Sequence, residues 1–407
     1  MKYVLLFIIS LSLFSKELPP LEKKLYNFIK NTQIKEHEIK RYIGTWPTYP
    51  KYTGARISIP ESNSFMTLQT LILLYEVNQD YKLNDIKNLY ELANSQIQNY
   101  MQDANKTNEL RGTISFWPLI QTDDGKWIRS FDTKWYNSSM RILNIGNDFD
   151  TSSQACSWFY MLNKNRDFLD SFVKNVGSYT DKDRKLEHFS NKKWKNKNSG
   201  AFLTWAEEEI PNKPQNRIMD SVNDVDCVVN LNILTALSNY ENNIDTLPLK
   251  TIKARDKSCK LIHNIIKQNK ESECGTWYTR KSHFDLAFAK AYKADTFCIQ
   301  EDKDEILSRA KKRARYLLNH PNIGAYTEIA EYLIVIKTLN KKRTYISKIL
   351  IKNLENMLRK GIVVKDNYAY LPSKHSLFGG KAFKYFSFNW YGRANSTALA
   401  LRALSMK

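Results

Sequence analysis

Carboxylates gather where apolar stretches begin: Asp148 and Asp150 in NDFDTSSQA, Asp224 and Asp226 in SVNDVDCVV, then Asp285 and Glu328, with Glu61 just ahead of SNSFM. Opposed carboxyl groups in one cavity divide proton work on a glycosidic bond. One protonates the leaving oxygen while the other activates water or attacks, and burial raises the pKa of the donor. Asp150, Asp224 and Asp226 are the candidate acids and bases. Asp148, Trp205, His283, Glu328, Trp390 and Arg393 are the candidate substrate-binding residues. Each acid also has a structural reading, because a carboxylate at a helix start accepts unpaired backbone N–H groups and faces the positive end of the dipole, worth about 1 kcal/mol. Arg280, His283, Tyr326, Arg393 and Asn395 fall at comparable positions, and a polysaccharide lyase would use Tyr or His with Arg and Asn. No Ser-His-Asp or Cys-His signature marks a nucleophile.

Positioning these residues falls to two kinds of helical pattern. Six stretches are apolar nearly all round: residues 62–77, 147–162, 221–240, 282–294, 325–339 and 394–407. Six others are rich in Lys, Glu and Asn around a narrow apolar stripe: residues 21–30, 82–101, 166–176, 249–268, 303–319 and 342–360. Strict alternation of covered and half-exposed helices predicts an all-α fold, an (α/α)6 toroid with six inner and six outer helices. Residues 16–407 then form a single domain. Three long connections, residues 102–146, 177–220 and 361–393, lead into apolar helices and carry Trp117, Trp127, Trp135, Trp194, Trp205 and Trp390. Long loops in a compact domain serve function, so the face where the apolar helices begin is expected to be the mouth.

Residues 1–15 read as a signal peptide: Lys2, an apolar run from Tyr3 to Phe14, then Ser15. The run is shorter than the roughly 20 residues a membrane-spanning helix needs. A periplasmic or secreted location is expected. Five cysteines are too few for a disulfide scaffold and lack metal-site spacing. Cys156 and Cys227 are expected as buried thiols, and one disulfide is expected among Cys259, Cys274 and Cys298. The formal charge of +20 lies mostly on the outer-helix patterns and on residues 182–197, without the interleaved aromatic motifs of a nucleic-acid binder. Solvated faces account for it, with contact to an anionic envelope surface the alternative. The expected partner is a polysaccharide or lipid-like substrate, with no nucleic acid, no cofactor and no metal.

Turns pairing small with aromatic residues precede several apolar helices: DDGKW (123–127), SGAFLTW (199–205), ECGTWY (273–278) and FNWYG (388–392). Together with Asp-Thr/Ser helix starts they resemble the superfamily of terpenoid cyclases and protein prenyltransferases, which implies an α/α toroid. The chain departs from both chemistries. Aligning Asp150 and Thr151 with the cyclase motif puts Phe149 at the proton donor's place. The prenyltransferase zinc motif wants one residue between Asp and Cys, whereas Asp226 and Cys227 are adjacent, with His283 more distant. The leading expectation is an exported enzyme acting on a glycan or other extended envelope substrate through carboxylates. An isoprenoid-handling protein and a non-catalytic binding module are the alternatives.

Overall fold

The computed structural model describes residues 16–52, 61–106, 111–121, 125, 127–129, 147–182, 199–206, 225–274, 277–278, 280–321, 325–341, 344–373, 378–383 and 386–407. The expected signal peptide (1–15) and Asp224 lie outside the described residues.

The fold is mostly helical. In chain order the α-helices among the described residues are α1 (Pro20–Thr32), α2 (Ser64–Asp80), α3 (Ile86–Lys106), α4 (Phe149–Leu162), α5 (Arg166–Val176) and α6 (Cys227–Asn243). There follow α7 (Leu249–Gln268), α8 (Lys281–Lys293), α9 (Lys303–Asn319), α10 (Ala325–Leu339), α11 (Tyr345–Gly361) and α12 (Arg393–Ser405). Each coincides with one of the sequence patterns to within a few residues. Even-numbered helices bury nearly every side: α12 hides Ala394 through Ser405 without a break. Odd-numbered ones bury a stripe, as α5 does with Phe168, Leu169, Phe172, Val173 and Val176. This is the burial that their periodicities require.

Packing follows the same division. α4 contacts α2 and α6, α8 contacts α6 and α10, and α12 contacts α10 and α2. Each odd-numbered helix lies on an apolar neighbour, α1 on α12 and α9 and α11 on α10.

Side-chain caps explain where helices start. Asn63 accepts from Met66 N at 2.8 Å, Asp148 accepts from Thr151 N, and Asp226 accepts from Val228 N at 2.8 Å. α6 therefore begins at Cys227, later than the expected 221, because Asp226 is its cap; residues 221–224 lie outside the described residues.

The periodicity gave no sign of the small sheets. Strands Tyr49–Tyr52 and Phe378–Phe383 both pair antiparallel with Phe386–Tyr391, which runs into α12. Closer to the candidate acids, Ile114–Ser115 pairs with Asn147–Asp148, and Asp148 bridges to Trp205. Gly112, at φ +80, lies so close to the Phe172 backbone that a Cβ would collide with it, so glycine is needed where the chain turns into that strand.

Two disulfides tie the chain: Cys259 to Cys298, one of the pairings left open among Cys259, Cys274 and Cys298, and Cys227 to Cys274, with Cα–Cα separations of 5.7 and 5.4 Å. The expectation of a buried thiol holds for Cys156 and fails for Cys227. Sequence separation hid the second pair: the 274 turn packs over the start of α6, where Cys227 N donates to Cys274 O at 2.7 Å.

Candidate functional site

The starts of α2, α4 and α6 and the turns before α8 and α12 line a partly open cavity. Its walls are aromatic, with Phe65, Phe116, Trp205, Trp277 and Trp390, and its polar groups include Asp148 and Asp150. Local pairing fixes the acids. The two-residue strand Asn147–Asp148 is held on one side by Ile114–Ser115. On the other side, Phe149 N donates to Thr204 O at 2.8 Å and Ala206 N donates to Asn147 O at 3.0 Å. Trp205 is thereby set beside Asp148, and it meets Trp277 edge-on at 5.5 Å.

Asp148 is the cap of α4, and its second oxygen accepts from Thr151 Oγ1 at 2.8 Å. Asp150 stands in the first turn, 9% exposed, and is bound by other elements: Asn232 Nδ2 of α6 donates to Oδ1 at 2.7 Å, and the Tyr278 hydroxyl donates to Oδ2. Burial raises Asp150 to about 6, against the pull of the Tyr278 and Asn232 hydrogen bonds and of the Lys290 charge. Burial and then the neighbouring Asp150 charge raise Asp148 to about 8. The two carboxyls titrate as a pair that holds one proton near neutral pH. Burial, and next the Asp150 charge, push the Tyr278 phenol well above its ordinary range.

Asp226 is fully buried and serves as a cap. Its Oδ1 accepts from Val228 N and Val229 N at 2.8 and 3.3 Å, and its Oδ2 accepts from Trp277 N at 3.0 Å. It is absent from the cavity walls. Of the expected acids and bases, Asp226 therefore does not share the cavity with Asp150, whose carboxyl neighbour there is Asp148, and the carboxylate of Asp226 positions the Trp277 turn.

Below the acids a second cavity is bounded by Asn232, Tyr278, His283, Lys290, Glu331 and Asn395, among others. Arg280 Nη2 donates to His283 Nε2 at 2.8 Å. An arginine only donates, so Nε2 accepts and Nδ1 carries the proton of the neutral ring. Burial, then the Arg280 charge, hold His283 well below its ordinary pKa, and its Nδ1 has no hydrogen-bond partner among the described residues.

Trp390 forms a wall, fixed by Nε1 donating to Glu61 Oε1 at 2.9 Å. Trp117 also donates to Glu61, so Glu61 is a buried anchor for aromatic rings. Glu328 lies 3.7 Å from Arg280 Nη1 and Arg393 stacks over Tyr370 at 5.7 Å; neither borders either cavity. Asp285 is buried against Arg313 at 2.7 Å. Sequence reasoning missed Asn232, Tyr278, Lys290 and Glu331. Three of these lie within helices, where periodicity marks burial without separating a cavity from a core.

The prenyltransferase-like zinc set does not fit, because Cys227 is spent in a disulfide and His283 is engaged by Arg280. One group with metal-compatible spacing exists among the described residues, His263, Glu301 and Asp302, away from both cavities. There His263 Nδ1 already pairs with Asp302 Oδ2 at 3.0 Å. Phe149, at the cyclase donor's place, is fully buried and packs on Tyr179 and Phe172. No protein-family model matches the chain, and no curated protein matches it either.

Proposed function

We propose that the chain is an (α/α)6-toroid enzyme that acts on a glycan at the aromatic mouth by carboxylate acid/base chemistry. The succession of contacts α2–α4–α6–α8–α10–α12–α2 supports the toroid. The observation that carries the chemistry is Asp150: a cavity-lining carboxyl raised to about 6, oriented by Tyr278 and Asn232, beside an Asp148 raised to about 8. Near neutral pH such a pair offers an ionised base and a protonated acid together. Trp205, Trp277 and Trp390 supply flat apolar faces that suit sugar rings.

Export is the accompanying proposal. Two disulfides favour an oxidising compartment. Among the described residues no helix is long and apolar enough to cross a membrane. The test is a reducing-end assay over neutral and acidic glycans. The parent releases product from at least one, and Asp150→Asn lowers turnover on it by about 10²-fold or more. Full turnover in Asp150→Asn would remove the mechanism.

The apolar mouth walls favour a second reading, an isoprenoid-handling protein. That reading requires a prenyl chain to bind with Trp205 and Trp277 in contact, and to compete with any glycan.

A further inference from the structure

Eight large apolar side chains are exposed among the described residues, and three of them, Tyr345, Ile346 and Ile349, fall within the first five residues of α11. They are 78%, 65% and 43% exposed. Exposed rings elsewhere find cover within the chain: Phe297 lies under Arg255, Tyr316 stacks on His320, and Tyr368 packs near Phe28 and Tyr370. Tyr345 has no ring contact with a described residue. α11 already buries one stripe against the fold, Leu350, Ile351, Leu354 and Leu358. Tyr345, Lys348, Ile349 and Lys352 follow the i, i+3, i+4, i+7 spacing of a second, outward stripe, and Ile346 widens its start. Packing of the helix requires only the first stripe.

Charge selects the occupant of the second. From Lys341 to Leu354 the sequence carries five Lys or Arg and no Asp or Glu. Lys348 and Lys352 are exposed and form no ion pair with a described residue. The next acid along the helix, Glu355, is engaged by Lys337 at 2.8 Å. On α9, which packs beside α11, Asp304 and Glu305 face that helix's own Lys303 and Arg309 at 3.8 and 2.7 Å. A second copy of the chain seated on this stripe about a two-fold axis would bring the same lysines together, and that repulsion opposes self-association. An anionic lipid surface satisfies both components. Apolar side chains enter the headgroup layer, while the lysine stems lie along it and carry their ammonium groups to the phosphates.

We propose that the outward stripe of α11 is an interfacial anchor that holds the protein on a membrane surface rich in anionic phospholipid. The anchor does not depend on what the mouth cavity does.

The experiment is sedimentation of the full-length chain with vesicles of phosphatidylcholine alone, or of an equimolar mixture of phosphatidylcholine and phosphatidylglycerol. It is run on the parent, on Ile346→Ser with Ile349→Ser, on Lys348→Gln with Lys352→Gln, and on Leu249→Ser, which alters an exposed apolar residue at the start of α7. The parent is expected to bind the mixed vesicles at least about tenfold more tightly than phosphatidylcholine alone, and less tightly as salt rises from about 0.1 to about 1 M. Each double substitution weakens that binding by about tenfold or more, and Leu249→Ser leaves it unchanged. Thermal melts confirm that each variant folds, and analytical ultracentrifugation without lipid is expected to show a monomer. No preference for the anionic vesicles, binding that survives either double substitution, an equal loss in Leu249→Ser, or a parent dimer that the two isoleucine substitutions dissociate would each overturn the proposal.

Discussion

At the start of α4 the cap is Asp148, and Asp150 stands two residues further along; at the start of α6 the cap is Asp226 itself. That offset decides what each carboxyl does. The oxygens of Asp226 are consumed by three backbone N–H groups and lie outside the cavity, whereas Asp148, also a cap, spends only one oxygen on the backbone and borders the cavity. An acid in the first turn has its N–H oriented by the helix while its side chain is free to leave it, and Asp150 reaches Asn232 and Tyr278 on other elements and the cavity between them. Two helix starts that look alike as strings of Asp therefore differ in chemistry through the register of the cap.

The comparison breaks most visibly at Asp226. Asp226→Ala forfeits a cap and leaves buried N–H groups of Val228 and Trp277 without partners, a loss of about 3 kcal/mol when the cap and the orphaned donors are taken together. Asp226→Asn keeps the oxygen facing Val228 but turns an NH2 toward the Trp277 N–H, and should fall between parent and alanine. Urea denaturation at pH 7 reads both. An alanine variant within about 1 kcal/mol of the parent would show that the cap is dispensable.

Next in size is pH dependence. Asp148 titrates at about 8 when folded, against an ordinary value near 3.9 that the unfolded chain keeps. Between those values the unfolded chain has released a proton that the folded one retains, so stability falls as pH rises from about 4 to 8. Asp150, raised to about 6, acts in the same direction over the lower part of that window. Asp148→Asn preserves an oxygen for Thr151 N and removes one titration. Its stability relative to the parent should climb with pH by more than about 1 kcal/mol across that span. A constant difference from pH 4 to 8 would mean that Asp148 is ionised like a surface acid.

Smaller still is the stability effect of Asp150→Asn. It preserves acceptor and donor capacity toward Asn232 and Tyr278 and should stay within about 1 kcal/mol of the parent in the same denaturation series at pH 5. A loss as large as that of Asp226→Ala would make Asp150 a structural residue too. Least of all, Arg393→Ala removes an exposed cation–π contact with Tyr370 and should cost about 0.5 to 1 kcal/mol, with no change in glycan binding. Weakened binding in that variant would extend the site to the α12 rim.

The helices were legible because burial is written in periodicity: Ala325–Leu339 and Arg166–Val176 have the bounds that their apolar spacing marks. The strand Phe386–Tyr391 looks like a turn in the sequence: one pairing partner, Phe378–Phe383, is its neighbour, but the other, Tyr49–Tyr52, lies far off. At the site, Asp150, Trp205 and Trp390 were visible as acids and aromatics near helix starts. Lys290 and Asn232 were not, because their meaning depends on which turn of a buried helix faces a cavity, and the composition of α6 and α8 is the same on every side. Cys227 was misjudged because a disulfide needs two positions in space and the sequence offers only separations.

The central claim is that the start of α4 holds a proton-exchanging carboxyl in the mouth cavity. The most direct measurement is carboxyl-carbon NMR of aspartate-labelled protein, with the Asp150 resonance assigned by its disappearance in Asp150→Asn. The account predicts a titration midpoint near 6 for that resonance. A midpoint at or below about 4, the range of an ordinary aspartate, would contradict it.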